Sequence, residues 1–180
     1  MTTTLDWYGC STFRLNTSGL TIFLDAYIDR VDGAPGSDLT ADDIDHCDWI
    51  IVGHSHFDHV YGAERIAINT GAKVIGGYET IRILHNDGVP LEQMICVAGG
   101  ETIDLGNKVS VSVFPSQHSC VWSHDRPIDS DEVCIGDLDV LWQDRQERFA
   151  GIKDWMRSLD EESKQHIRAS YQGARGDGGA

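Results

Sequence analysis

Short apolar runs separated by turn-forming residues fill roughly the first two thirds of the chain, a pattern typical of β-strands. The run at 48–53 is apolar and bounded by polar residues, which indicates a buried strand. The segments Gly9-Cys10-Ser11, Thr17-Ser18-Gly19 and Gly106-Asn107 mark turns between runs. In total the pattern predicts strands at 5–8, 12–16, 20–24, 48–53, 72–76, 94–97, 101–105 and 108–114.

Helical spacing of apolar and small residues appears between some of these runs. It predicts a helix over 61–69 with Gly71 as its C-cap, and another over 79–86 that is closed by Gly88. Thr40 is expected to cap a short helix that begins at Ala41. Strands that alternate with helices and then give way to hairpin strands predict an α/β, or α+β layered, fold with a mixed sheet.

A long amphipathic pattern begins at Leu138, after a polar connection at 123–137. It predicts a helix over 138–159, which we expect to pack on the domain or to mediate self-association. A second helix is predicted from about 161 to 171, so that 138–172 is a helical segment and 173–180 a flexible tail. The apolar stripe of the first helix is formed by Leu138, Leu141, Trp142, Phe149, Ile152, Trp155, Met156 and Leu159.

The formal net charge of −15, from 14 basic and 29 acidic side chains, narrows the range of partners. A surface this acidic repels phosphate backbones and anionic lipid, so we expect a small-molecule substrate and neither nucleic acid nor a membrane. Divalent metals bound to the protein would cancel part of the charge locally.

The compartment predicted from the sequence is the cytoplasm. No apolar run approaches the ~18–20 residues of a membrane span, and the first residues lack the basic and apolar regions of a secretory signal. The five cysteines form no C-x-x-C pair, which suggests neither a disulfide framework nor a cysteine-type zinc finger.

The densest chemistry lies in His54-Ser55-His56-Phe57-Asp58-His59, directly after the predicted buried strand at 48–53. Extended residues two apart point the same way, so His54 and His56 can face one metal together. Asp58 and His59 follow where the chain turns, so they can bind a metal at a neighbouring position. Imidazole nitrogen and carboxylate oxygen are ligands that borderline metals such as zinc prefer, so the segment predicts a metal site.

The pattern His54-x-His56-x-Asp58-His59 after a strand resembles the signature of the metallo-β-lactamase superfamily. Upstream, Ile22-Phe23-Leu24-Asp25 is similar to that family's strand ending in a buried acid. Downstream, 111–118 resembles the strand that leads to the family's third histidine. The phrase Gly71-Ala72-Lys73-Val74 resembles the lactonase-like branch, which includes ascorbate-6-phosphate lactonases and lipid phosphodiesterases. The resemblance covers roughly residues 5–120.

The resemblance implies a zinc-dependent hydrolase with two metals in the complete domain, although iron or manganese could replace zinc. His54, His56 and His118 would hold the first metal, and Asp58 and His59 would contribute to the second. The implied nucleophile is a metal-bound hydroxide that attacks an ester, lactone or phosphodiester. Asp58 would also act in catalysis, by orienting that water or accepting its proton.

Two further acids have roles that the sequence leaves open. The resemblance implies that Asp25 orients a metal ligand by accepting a hydrogen bond, while its place at a strand end equally suits a turn-forming acid. The family's second site also needs a bridging aspartate and a late histidine. Val133-Cys134-Ile135-Gly136-Asp137 resembles the bridging segment, but it runs straight into the predicted helix at 138–159. His46, His85, His124 and His166 are most simply solvent-facing.

The family fold is an αβ/βα sandwich of two halves, of which residues 1–122 resemble the N-terminal half. We therefore expect a chain truncated after that half, with a poorly bound second metal and weak turnover. One alternative is a non-catalytic metal-binding fragment. Another is a mononuclear-iron dioxygenase of the same superfamily, which keeps the same histidines. Flavodiiron-type relatives carry glutamate where this chain has His56, which favours a zinc hydrolase over a di-iron oxidoreductase.

Overall fold

The computed structural model describes residues 2–28, 39–116, 154, 157–162 and 164. These residues belong to two units, one holding the described residues up to 116 and the other those from 154 to 164. The described strands of the first unit are β1 (Thr4–Trp7), β2 (Phe13–Thr17), β3 (Leu20–Leu24), β4 (Trp49–Ile51), β5 (Lys73–Gly76), β6 (Met94–Cys96), β7 (Thr102–Gly106) and β8 (Val109–Ser112). Its described helices are α1 (Phe57–Val60), α2 (Ala63–Thr70) and α3 (Tyr78–Asn86), with 3₁₀ turns at Ala41–Asp43 and Leu91–Gln93.

The predicted mixed sheet is confirmed. Among the described residues, β1 to β6 form one sheet in sequence order, and β7 pairs with β8 in a separate hairpin. The pairs β1–β2 and β2–β3 are antiparallel, whereas β3–β4, β4–β5 and β5–β6 are parallel. Because β3, β4 and β5 run in the same direction, the loops that follow them leave from one edge of the sheet.

The central strands are apolar on both faces because both faces are covered. Phe23, Ile50 and Val74 share one face and pack against apolar residues of α2 and α3 in a buried cluster. On the other face Trp49 and its neighbours pack against the β7–β8 hairpin. Trp49 also donates its indole N–H to the Leu105 carbonyl at 3.0 Å, which fixes the hairpin on that face. The apolar run at 48–53 is thus explained by a strand between two layers.

Several predicted elements agree closely with the structure. Strand β3 has the predicted bounds, and Gly71 caps α2 in the left-handed conformation with φ 75°. The short helix after Thr40 is a 3₁₀ turn, where the Asp43 carboxylate accepts hydrogen bonds from the Thr40 N–H and hydroxyl. Strand β8 stops at Ser112, two residues before the predicted end.

One helix was missed, and it lies in the histidine segment. Residues 57–60 form the single turn α1, where the sequence predicted only a change of direction. Buried Gly62 separates α1 from α2 at φ 117°, a conformation that residues with a Cβ rarely adopt. A single helical turn carries no periodic apolar pattern, so the sequence offered no signal for it.

Most of the predicted helical segment at 138–172 lies outside the described residues, including Trp142 and Trp155. Its described positions are helical at Asp154, Arg157 and Ser158 and again at Glu161, Glu162 and Lys164. Ion pairs with i,i+3 spacing join Asp154 to Arg157 and Glu161 to Lys164. The boundaries at 122, 137 and 172 stay predictions. Among the described helices, none combines the length and apolarity needed to cross a bilayer.

The central layer should tolerate the loss of a methyl group poorly. Ile50 is completely buried, whereas Ile68 on α2 is 48% exposed. We expect Ile50→Val to lower the free energy of unfolding by about 1 kcal/mol, because it leaves a small cavity. The matched change Ile68→Val should stay within about 0.5 kcal/mol of the unchanged protein. Urea unfolding followed by circular dichroism measures both, and equal losses would contradict this description of the core.

Candidate metal centre

The site begins where β3 and β4 end. The two strands are parallel neighbours, so Asp25 after β3 lies beside the residues that follow β4. The Asp25 N–H donates to the Ile51 carbonyl at 2.8 Å, which is the last bond of this ladder. Beyond it, Gly53 leads into the histidine segment. The sheet thus delivers one carboxylate and the whole histidine segment to the same edge.

Asp25 joins the two strand ends through its side chain. One oxygen, Oδ1, accepts a hydrogen bond from the Gly53 N–H at 2.8 Å, and Oδ2 lies 2.7 Å from His59 Nδ1. The carboxylate is largely buried, with 13% of the side chain exposed. Its backbone is left-handed with φ 53°, a conformation that costs most residues about 1–2 kcal/mol and that aspartate tolerates better. Of the two roles that the sequence left open, the hydrogen-bond acceptor is the one observed for the side chain, because both oxygens bond residues distant in the chain rather than the local turn.

His54 and His56 point toward each other, in keeping with their i,i+2 spacing. His54 Nε2 lies 2.8 Å from His56 Nδ1, and both side chains are half-buried. Buried Ser55 lies between them in the chain. Two nitrogens bound to one tetrahedral zinc at 2.0–2.1 Å would be about 3.3 Å apart. The observed separation is shorter than that spacing, so the two nitrogens would have to move apart and lose their mutual hydrogen bond before both could bind one metal.

Asp58 and His59 form a second pair on the single turn of α1. His59 Nε2 faces Asp58 Oδ2 at 3.8 Å, and the His59 ring centroid is 3.9 Å from that of His54. Since Nδ1 of His59 is engaged by Asp25, Nε2 is the nitrogen directed toward Asp58. The predicted ligands of the segment at 54–59 therefore form two neighbouring pairs, which meet where the His54 and His59 rings approach each other.

The turn between β1 and β2 also reaches this site, which the sequence did not predict. Ser11 Oγ lies 3.2 Å from His59 Nδ1 and 3.5 Å from the Asp58 carbonyl oxygen. The exposed Cys10 thiol is 3.9 Å from Asp58 Oδ2. A hairpin turn carries no local signal for the distant loop that it will contact, so no pattern in the sequence could have identified these residues.

The carboxylates of Asp25 and Asp58 favour the protonated form of His59 in the absence of metal. Burial lowers the pKa of His59, but the hydrogen bond to Asp25 and the charges of Asp25 and Asp58 outweigh it. The pKa of His59 is therefore raised above its usual value. A divalent cation bound beside His59 would have to displace this proton, so we expect metal binding to weaken as the pH falls.

The residues fit a borderline divalent metal in their chemistry, because imidazoles and a carboxylate are brought together at a sheet edge. Within residues 2–28 and 39–116, however, no three His, Cys, Asp or Glu side chains form a group that could hold a metal ion. The donors occur there as two pairs, so each pair would need further ligands or water. The predicted ligands His118 and Asp137 lie outside the described residues.

The two other described histidines lie apart from this arrangement. His46 and His85 are exposed, as expected from the sequence. His46 Nε2 lies 3.3 Å from Asp48 Oδ2, and His85 Nδ1 lies 3.2 Å from the Val89 carbonyl oxygen. Both therefore have partners outside the histidine segment at 54–59. His124 and His166 lie outside the described residues.

Comparison with known families gives a match over much of the chain. A family model for a β-lactamase superfamily domain matches residues 21–136. The matched range contains Asp25 and the whole histidine segment, and it extends beyond residue 120, where the resemblance seen in the sequence ended. It stops one residue before Asp137.

Curated relatives carry a common name. A UPF0173 metal-dependent hydrolase of Pyrobaculum calidifontis is 31% identical over 116 residues, which are 64% of this chain and 50% of the relative. A protein of the same name from Anoxybacillus flavithermus is 37% identical over 110 residues, or 61% of this chain and 47% of the relative. The chain thus spans about half the length of the curated relatives it matches.

A solved structure agrees with the fold. The metallo hydrolase Igni18 of the archaeon Ignicoccus hospitalis superimposes with a TM-score of 0.51 at 25% sequence identity. The superposition covers 66% of this chain and 51% of Igni18. The superimposed part of this chain therefore corresponds to about half of the Igni18 fold.

Replacing the Asp25 carboxylate should lower the pKa of His59 in chelator-treated protein. In Asp25→Asn the amide oxygen can still accept from Gly53, but the charge that favours protonated His59 is lost. In the unchanged protein the ion pair contributes stability that is fully present below the unfolded pKa of about 6.5 and is lost as pH rises through the higher folded pKa. Asp25→Asn should therefore lose less stability between about pH 6 and pH 8.

Histidine ring signals in an NMR titration, together with urea unfolding at both pH values, measure these changes. Asp48→Asn is the matched control. Asp48 immediately precedes β4, its carboxylate accepts a hydrogen bond from the Thr21 N–H of β3, and none of its described hydrogen bonds involves His59. The control should leave the His59 pKa unchanged. An unaltered His59 pKa in Asp25→Asn would contradict the pairing.

Proposed function

The chain belongs to the metallo-β-lactamase superfamily, and we propose that its histidine segment serves the metal-dependent hydrolysis of a small-molecule ester, lactone or phosphodiester. The observation that supports this most is the meeting of the His54–His56 and Asp58–His59 pairs at one sheet edge. The name metal-dependent hydrolase, carried by relatives about twice as long, supports the same reaction class. The activity is proposed for a whole domain of the relatives' length, of which the histidine segment forms part.

We propose zinc as the metal, since a site rich in imidazole with one carboxylate suits it well. When bound, such a metal makes water a stronger acid and polarises the scissile bond of the substrate. His54 and His56 would hold the first ion, with His118 as the third ligand that the sequence suggests. Asp58 and His59 would hold a second ion. Iron or manganese in the same ligands is an alternative that metal analysis would distinguish.

Asp25 and Asp58 have different proposed roles beside the metal. Asp25 holds His59 through Nδ1, which leaves Nε2 as the nitrogen for a metal. Asp58 Oδ2 lies 3.8 Å from His59 Nε2 and 3.9 Å from the Cys10 thiol sulfur. A carboxylate there can orient an attacking water or accept its proton. Asp58 is therefore the proposed catalytic carboxylate.

Metal binding without catalysis is a second candidate. It is favoured by the finding that the donors of the described residues occur in pairs rather than in a complete group of three. A pair of ligands with water can retain a metal weakly, while substrate positioning requires a formed pocket. The two candidates share the same metal ligands and differ in turnover.

The first prediction of the proposal concerns the metal. His56→Ala should weaken Zn²⁺ binding by more than about 100-fold, which exceeds the effect usual for residues that only support a ligand. His85→Ala is the matched control and should bind Zn²⁺ as the unchanged protein does. Isothermal titration of the metal-free protein with Zn²⁺ measures both, and metal analysis of the purified protein identifies the native ion. Equal affinities in His56→Ala and the unchanged protein would refute the site.

The second prediction concerns turnover. Any hydrolysis of ester, lactone or phosphodiester substrates should disappear on chelation and return when Zn²⁺ is added. Asp58→Asn should lower kcat by about 10²–10⁴-fold, the usual contribution of a general acid or base. Asp48→Asn serves as the control carboxylate. Hydrolysis that survives chelation would exclude the proposed reaction, while tight metal binding with no turnover would support the second candidate.

A further inference from the structure

The turn between β1 and β2 contacts the Asp58–His59 pair. The hydrogen bonds of Ser11 among the described residues go to Asp58 and His59. This is the pair on α1, distinct from the His54–His56 pair that follows β4. A residue in this position contacts one pair of ligands directly and can reach the other only through the His59 ring.

From this contact we infer that Ser11 is a positioning residue for the Asp58–His59 pair, an inference that rests on the proposed function of that pair. A hydroxyl has one proton to donate and two lone pairs that accept. The His59 Nδ1–H donates mainly to Asp25 Oδ2 at 2.7 Å and can share its proton with Ser11 Oγ at 3.2 Å. The Ser11 proton is then directed to the Asp58 carbonyl oxygen at 3.5 Å.

The arrangement links the ring of one ligand to the backbone of the other. With Ser11 and Asp25 both accepting at Nδ1, the proton of neutral His59 stays on that nitrogen, and the Nε2 lone pair faces Asp58. The contact with the Asp58 carbonyl adds a long, weak hydrogen bond to the backbone that carries the second ligand. Groups that hold ligands in this way raise metal affinity by setting the tautomer and orientation in advance.

The turn that carries Ser11 has its own supports, so its position does not depend on the metal ligands. The Trp7 indole N–H donates to the Cys10 carbonyl at 2.9 Å, and the Tyr8 N–H donates to the Thr12 carbonyl at 3.0 Å. The buried Thr12 hydroxyl oxygen accepts from the Tyr27 N–H at 2.9 Å. The turn is therefore anchored both to its own hairpin and to the chain just after Asp25.

The test is a titration of the metal-free full chain with Zn²⁺, followed by NMR at the individual histidine rings. The ring signals are assigned from single His→Ala variants, so apparent affinities are read separately at His59 and at His54 and His56. In Ser11→Ala the apparent affinity read at His59 should fall about 10-fold, within the range usual for residues that support a ligand. The affinity read at His54 and His56 should change less than about twofold.

Two variants control this comparison. Ser11→Thr keeps the hydroxyl and should restore the affinity at His59. Ser110→Ala removes an exposed serine hydroxyl on β8 and should change neither affinity. If Ser11→Ala does not fold, Ser11→Gly removes the same hydroxyl and takes its place. A purely structural role for Ser11 would instead weaken binding at all the rings together.

The titrations distinguish a failure of the Ser11 positioning role from a failure of the proposed metal site. If Zn²⁺ perturbs His59 in the unchanged protein and Ser11→Ala leaves that affinity intact, the positioning role is wrong and the metal site stands. A parallel loss at His54, His56 and His59 likewise overturns the positioning role. If Zn²⁺ perturbs none of these rings in the unchanged protein, the proposed function fails and the inference fails with it.

Discussion

The arrangement of the site depends on one buried carboxylate. Asp25 accepts a hydrogen bond from Gly53 with one oxygen and engages His59 with the other. It thereby connects the end of β3, the exit from β4 and the helical turn that carries the second pair of ligands. A buried carboxylate is costly unless its oxygens are satisfied, and these contacts satisfy both. The same bonds that stabilise the acid therefore determine where His59 lies.

The sheet makes this contact available. Parallel β3 and β4 bring their carboxyl ends to one edge, and the cover on both faces prevents these strands from shifting. Completely buried Phe23 and Ile50 pair in register directly before the site. A one-residue slip in this register would expose these side chains to the wrong layer. The packing of the core thus fixes the separation between Asp25 and the histidine segment.

Local patterns were sufficient to predict much of the framework and part of the site. The bounds of β3 and the shared direction of His54 and His56 follow from short-range periodicity, and the capping role of Gly71 follows from glycine's access to the left-handed conformation. Contacts between distant segments carry no such periodicity. The approach of Ser11 to His59 spans 48 residues and requires the hairpin, the sheet and α1 to be in place together. The metal and the substrate stay predictions, and so does the role of His118, which lies outside the described residues.

Backbone conformation distinguishes Asp25 from the other residues of the framework. The other described non-glycine residues with positive φ lie in hairpin turns, where this conformation is common; they are Cys10, Ser18, Asn107 and Lys108. Asp25 adopts it directly after β3, outside any hairpin turn. Such a conformation persists only when surrounding contacts compensate for it, and these residues cluster at functional sites. The contacts that compensate here are the bonds to Gly53 and His59, so the unfavourable backbone and the orientation of a proposed metal ligand have the same origin.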